Sequence, residues 1–278
     1  MENQTVLTYQ NATGAIAHNM TNDYMFRYIL QKNEKVLRGL ISSLLHLDPN
    51  SIKKLTIQNP INLAEDIKGK DFVLDIEVLL NDNSLINLEM QVDNEHNWTE
   101  RSLSYLCRTF DQLYQGQPYE DALPVHHIGF LNFTLFPSYP EFFATYQLLN
   151  IKNHTLYSSK FTLSVVDLTQ TKLATEEDKF YGINRWARLF KSKTWEELKM
   201  LAKDNEYLDA AATSLYEANS DWMVQERCIA RKLAERRERT LERDIKLLKE
   251  ENSKLEERNS SLEERIKELE RKLAEMNL

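Results

Sequence analysis

Asp71-Phe72-Val73-Leu74-Asp75-Ile76-Glu77-Val78 and Leu85-Ile86-Asn87-Leu88-Glu89-Met90-Gln91-Val92 decide the fold of this chain. In both stretches the even positions are apolar. The odd positions carry Asp75 and Glu77 in the first stretch, and Asn87, Glu89 and Gln91 in the second. Side chains alternate faces along a strand, so each stretch reads as a strand with one apolar and one polar face. For the two apolar sets to share a face, the numbers of paired residues must add to an even number. A three-residue loop, Asp82-Asn83-Ser84, satisfies this and sets Asp75 opposite Gln91 and Glu77 opposite Glu89. A two-residue loop would turn the carboxylates inward. The expectation is an odd loop or a bulge, with Asp75, Glu77, Glu89 and Gln91 on one face.

Carboxylates gathered on one sheet face repel one another, and a divalent cation relieves that. Oxygen-only donors suit Mg²⁺ or Mn²⁺ better than zinc. Spacing alone leaves a second reading open, in which the polar face is the solvated side of a half-exposed hairpin.

Working outward, a helix is expected from Asn22, with Thr21 or Asn22 as N-cap and Asp23 favoured by the helix dipole. Its buried stripe is Phe26, Ile29, Leu30, Leu37, Leu40, Ile41, Leu44 and Leu45, and Asp48-Pro49-Asn50 ends it. A strand at 52–59 precedes the hairpin strands at 71–80 and 85–92. A helix over 97–115 should bury Leu103, Leu106, Cys107, Phe110, Leu113 and Tyr114, and Gly116-Gln117-Pro118 stops it. Strands follow at 125–135, 142–149 and 160–168. From Glu176 the chain reads as helical, with breaks at 191–194 and near Asn219. This order says α/β.

The last fifty residues are the densest in charge, with 27 of the 78 charged side chains. Leu241, Leu248, Leu255, Leu262 and Leu269 recur every seven residues, interleaved with Ile245, Asn252, Asn259, Ile266 and Leu273. Heptads of this kind specify a left-handed coiled coil, and Asn at core positions favours a parallel, in-register pair. A homodimer through residues 241–276 is expected. The basic cluster Arg227, Arg231, Lys232, Arg236, Arg237 and Arg239 precedes it. Glu226, Glu235 and Glu238 interrupt that cluster, which favours a charged flank over a DNA-reading basic region.

Composition sets the outer bounds. The 278 residues carry 35 Lys+Arg against 43 Asp+Glu, a net charge of −8, which argues against indiscriminate nucleic-acid binding. Two cysteines exclude a disulfide framework and a thiolate zinc cluster. No apolar run is long enough to span a membrane. Residues 1–20 are polar and lack the Lys or Arg of a signal peptide, so a mobile arm and a cytoplasmic protein are expected. His96, His126 and His127 have no metal-ligand spacing with the cysteines.

A carboxylate on one strand, a hairpin, then Glu-x-Gln on the next strand resembles the PD-(D/E)XK nuclease superfamily. Asn22-Asp23-Tyr24-Met25-Phe26, Leu74-Asp75-Ile76, Leu88-Glu89-Met90-Gln91, Arg101 with Tyr105, Gly116-Gln117-Pro118-Tyr119 and the stretch from Pro124 to Phe136 resemble its Rpn branch of recombination-promoting, transposase-like nucleases. The resemblance covers residues 20–170. It implies a restriction-endonuclease-like core over 21–170, followed by a helical connector at 171–224 and the coiled coil at 225–278.

The resemblance further implies that Asp75, Glu89 and the backbone carbonyl of Met90 hold Mg²⁺ or Mn²⁺, with Glu77 and Asp23 as secondary candidates. Gln91 stands where the superfamily has Lys; it can orient water but is neither a cation nor a base. Arg101, Tyr105 and Arg108, with Gln112, fall at spacings of four, three and four along one helix side, a pattern that can hold a DNA backbone. The implied activity is metal-dependent endonucleolytic hydrolysis of DNA in recombination, mobile-element or phage-defence processes. The alternative is a nuclease-fold DNA-binding or regulatory protein with weak or absent turnover.

Overall fold

The hairpin forms with the parity that the alternation requires. A computed structural model describes residues 8–59, 76–113 and 115–276. Strand β2 (Ile76–Leu80) pairs antiparallel with β3 (Ser84–Gln91), Leu80 opposite Ser84 and Ile76 opposite Leu88. The loop has three residues, as expected, but they are Asn81-Asp82-Asn83, so Glu77 faces Asn87 and not Glu89. Asn81 and Asp82 take left-handed backbone angles, φ 50° and 57°, a region that Asn and Asp tolerate better than other side chains. The Asn81 Oδ1 accepts from the backbone N–H groups of Lys53 and Lys54. This tether holds the turn in place. The expected pairing of Asp75 with Gln91 falls outside the described residues.

Four further strands complete the sheet: β1 (Leu55–Ile57), β4 (Val125–Leu131), β5 (Phe143–Gln147) and β6 (Phe161–Asp167). The order is β1-β2-β3-β4-β6-β5. Strands β3, β4 and β6 run parallel, and the outer pairings are antiparallel. Helix α3 (Trp98–Phe110) makes the crossover from β3 to β4, the connection that a parallel pair demands.

Parity sorts the two faces. Ile76, Val78, Ile86, Leu88, Met90, Ile128, Phe130 and Val166 enter one core with α1 (Asp23–Lys32) and α2 (Glu34–Leu44). That core also takes in residues of α5 (Ile183–Lys191), α6 (Trp195–Ala202) and α7 (Glu206–Ser220). The ring centroids of Phe26, Phe130 and Phe190 lie 5.3–5.5 Å apart and join α1, β4 and α5. Helices expected as a connector are therefore built into the sheet's own core; the short α4 (Glu176–Phe180) precedes them behind a Thr175–Asp178 capping box. On the other face Leu85, Val125, Leu131, Leu163 and Val165 pack against Trp98 and Leu106 of α3.

Two local expectations are corrected, and the expected Asn22 cap is met. The first helix is two helices, because Asn33 ends α1 and its side chain caps the N–H groups of Lys35 and Val36 in α2. Asn22 caps α1 through the Met25 N–H. In α3, Leu103 and Cys107 are exposed, while Ser102 and Thr109 are buried; the helix is rolled away from the face that its apolar residues suggest.

Residues 8–20, expected as part of a mobile arm, are tied down. Ile16 N–H donates to Lys193 O at 2.8 Å and Trp195 N–H to Gly14 O at 3.0 Å. His18 and Asn219 exchange two hydrogen bonds of 2.9 Å. Helix α8 (Trp222–Met276) is continuous over 55 residues. The chain divides into two compact units, Met1–Cys228 and Ile229–Leu278. No described helix is long and apolar enough to cross a membrane.

Gly129 carries the seating of α3. A Cβ built there would lie 2.0 Å from Cζ2 of Trp98, so the indole rests on bare backbone. Gly129→Ala should therefore lower unfolding stability by about 1–3 kcal/mol through overpacking, read as a reduced urea midpoint. An unchanged midpoint would show that Trp98 does not occupy this position.

Candidate functional site beneath helix α3

Strand β3 is buried on both faces. Asn87, Glu89 and Gln91 point to the α3 side and are 1%, 4% and 8% exposed. These values dispose of the solvated-hairpin reading. A carboxylate removed from water this far needs compensation, and α3 supplies it. The Arg101 Nε donates to Glu89 Oε1 at 2.6 Å. Burial alone would lower the Arg101 guanidinium, but the charge and hydrogen bond of Glu89 more than offset that and hold it above its ordinary value.

The same pattern recurs at the far end, where Thr109 Oγ1 lies 3.4 Å from Glu77 Oε2 and Gln112, two residues past the helix, donates from Nε2 to Glu77 Oε1 at 3.0 Å. The row Arg101, Tyr105, Gln112 thus turns toward the strands, where the sequence pattern set it away from the packed side. Tyr105 holds the row together. Its ring lies 5.3 Å from the Arg101 guanidinium and 5.7 Å from that of Arg108, which is exposed.

Beside Glu89 stands a residue that sequence spacing did not select. His127 on β4 pairs in register with Asn87, and Gly129 pairs with Glu89. The His127 side chain is fully buried, its ring flanked by Trp98 at 5.7 Å and Tyr105 at 6.2 Å. Its Nε2 lies 3.6 Å from Glu89 Oε2, beyond a hydrogen bond. Burial, with the nearby Arg101 charge, pushes its pKa down to about 4, so the ring is neutral at pH 7. The only hint in the sequence was His127-Ile128-Gly129, an alternation whose histidine shares a face with a glycine.

The remaining expected residues are distributed as follows. Met90 lies between Glu89 and Gln91, its side chain in the opposite core. Asp23 is buried in the first turn of α1, whose residues pack on that same opposite face. Asp75 lies outside the described residues, directly before Ile76 in the sequence. Among the described residues no three His, Cys, Asp or Glu side chains form a metal cluster. Neither amide side chain of Asn87 and Gln91, nor either ring nitrogen of His127, has a hydrogen-bond partner among them. Glu89 Oε2, these amide oxygens and the imidazole are donors of the kind that a divalent cation takes.

A mixed sheet with a central antiparallel hairpin, a parallel β-α-β crossover and a carboxylate beneath the crossover helix defines a restriction-endonuclease-like core. The family model for PD-(D/E)XK nuclease family transposases matches residues 20–236, and the chain belongs to that family. The match takes in α4–α7 as well as the sheet. No curated protein and no solved structure matches the chain. Membership implies a nuclease-type function, for which DNA is the expected substrate and a divalent metal the general requirement.

The neutral, buried imidazole makes stability depend on pH. Between pH 6.5 and about 4 the unfolded chain protonates His127 and the folded chain does not, so stability falls as the pH drops through that window. His126 adds in the same direction, since burial lowers it too. In chelator, urea unfolding should lose roughly 2 kcal/mol or more between about pH 7 and pH 5. His127→Phe should flatten that slope; an equal slope in the variant would place the titration elsewhere.

Proposed function

We propose that the chain is a metal-dependent DNA endonuclease, hydrolysing phosphodiester bonds at the site around Glu89. The observation that carries the reading is a carboxylate with a 5% exposed side chain, set on the polar edge of the hairpin among polar donors. Nothing in ordinary packing requires a charge there. In this reading Asp75, Glu89 and the Met90 carbonyl would hold Mg²⁺ or Mn²⁺, with Glu77, on the same face as Glu89, in a supporting position; Asp23, on the opposite face, drops out of the ligand set. The metal, when bound, supplies an acidified water and neutralises charge on the scissile phosphate. Gln91 would orient water through its amide, and it neither takes up nor releases a proton at neutral pH. Arg101, whose side chain keeps 38% exposure, Tyr105 and Arg108 line the helix flank and contact the DNA backbone.

One observation favours a second reading. Arg101 already neutralises Glu89, as in a nuclease fold that has lost its metal and serves binding or regulation. Supercoiled plasmid incubated with Mg²⁺ or Mn²⁺ separates the two. Wild type should nick or linearise it, and Asp75→Asn and Glu89→Gln should each reduce the rate by more than about 100-fold, beyond the loss of an outer partner. Absence of cleavage by folded wild type with both metals would support the binding protein.

The second unit supports a parallel coiled-coil homodimer through residues 241–276. Leu241, Leu248, Leu255, Leu262 and Leu269 are 46–64% exposed along α8, and a stripe of that length is stable in water only against a partner. A second copy brings a second site, which makes cutting of both strands possible. Light scattering of the full chain should give twice the 32.7 kDa chain mass, and the double variant Leu248→Glu, Leu262→Glu should give the monomer. A wild-type monomer at micromolar concentration would exclude the dimer.

A further inference from the structure

We infer that His127 is a nitrogen ligand of the metal held at Glu89, so that this site selects a transition metal such as Mn²⁺ over Mg²⁺. The inference rests on the metal-dependent reading above and goes beyond its oxygen-only ligand set. Three observations carry it. The first is the state of the ring: His127 is fully buried, and neither nitrogen has a hydrogen-bond partner among the described residues. A buried polar group left so costs about 1–3 kcal/mol, and native interiors rarely keep one without a use.

The second is distance. Nε2 and Glu89 Oε2 stand 3.6 Å apart, too far to bond each other. One cation with bonds of about 2.0–2.2 Å to each spans that gap without moving either strand. Arg101 is seated on the other oxygen, Oε1, so the guanidinium and a metal divide the carboxylate between them. The third is orientation. Trp98 and Tyr105 flank the imidazole and keep Nε2 directed at Glu89, while Asn87, the register partner of His127, adds an amide on the same face. Imidazole beside carboxylate raises affinity for transition metals, in the order Mn²⁺ below Fe²⁺ below Co²⁺, and does little for Mg²⁺.

The test uses the full-length chain, stripped with chelator and titrated with Mn²⁺ alone. Loss of the free-ion electron paramagnetic resonance signal reports binding, and pulsed spectra report coupling to a ¹⁴N nucleus. Wild type should bind Mn²⁺ with ¹⁴N coupling. His127→Phe fills the same slot between Trp98 and Tyr105, and His127→Ala serves as a second variant. Both should lose the coupling and bind Mn²⁺ about tenfold or more weakly, with Mg²⁺ affinity, read by competition, nearly unchanged. Mn²⁺ bound in a Glu89-dependent way but without ¹⁴N coupling would overturn the role of His127 and leave the nuclease reading standing. Coupling that persists in both variants would overturn it as well. No Mn²⁺ binding that Glu89→Gln abolishes would remove the metal-dependent reading itself, and this inference with it.

Discussion

The ion pair between Glu89 and Arg101 is the constraint around which this domain is arranged. Taking a carboxylate out of water costs several kcal/mol, and only a well-placed cation offsets it. Arg101 lies on the helix that buries Glu89, so cause and compensation sit on one element. The remaining contacts of α3 follow from that anchor. Once Arg101 meets Glu89, the helical repeat brings Tyr105 over His127 and Thr109 over Glu77, and Gln112, just past the helix, joins Thr109 there. On its other flank Trp98 settles onto Gly129. Polar contacts fix the helix along its axis, and the indole fixes its depth.

This arrangement explains why α3 is rolled relative to its apolar pattern. Facing Leu103 and Cys107 inward would lift Arg101 from Glu89 and leave a bare charge in the interior. The exposed Leu103 instead borders an apolar hollow of about 200 Å³ with Leu106, Phe136, Tyr146 and Phe161, beyond the helix edge. A sequence reading that counts apolar residues cannot foresee a helix whose inward face is chosen by a charge on another element.

Other features were legible because they are local. Alternation over 76–80 and 84–91 gave the parity of the hairpin and the odd loop; the one-residue error in each strand came from Asn81, whose turn is set by a tether to Lys53 and Lys54. The break at Asn33 was hidden because apolar spacing continues from Leu30 to Leu37 across it. Glu89, Gln91 and Arg101 could be singled out from motif and spacing. His127 could not, since its closeness to Glu89 depends on the parallel register of β3 and β4, which no short stretch encodes. The helix over the long heptad run needed nothing beyond its own period.

The docking of residues 8–20 against residues 192–219 has a consequence for biosynthesis. Gly14, Ile16 and His18 make their backbone bonds with residues about 180 to 200 positions later. Residues 8–20 therefore wait for almost the last part of the unit before they can be satisfied. Contacts so distant in sequence are slow to close. A chain cut short before Ile183 would leave the 8–20 segment without its partners, and the sheet would lack the helices that complete its larger core.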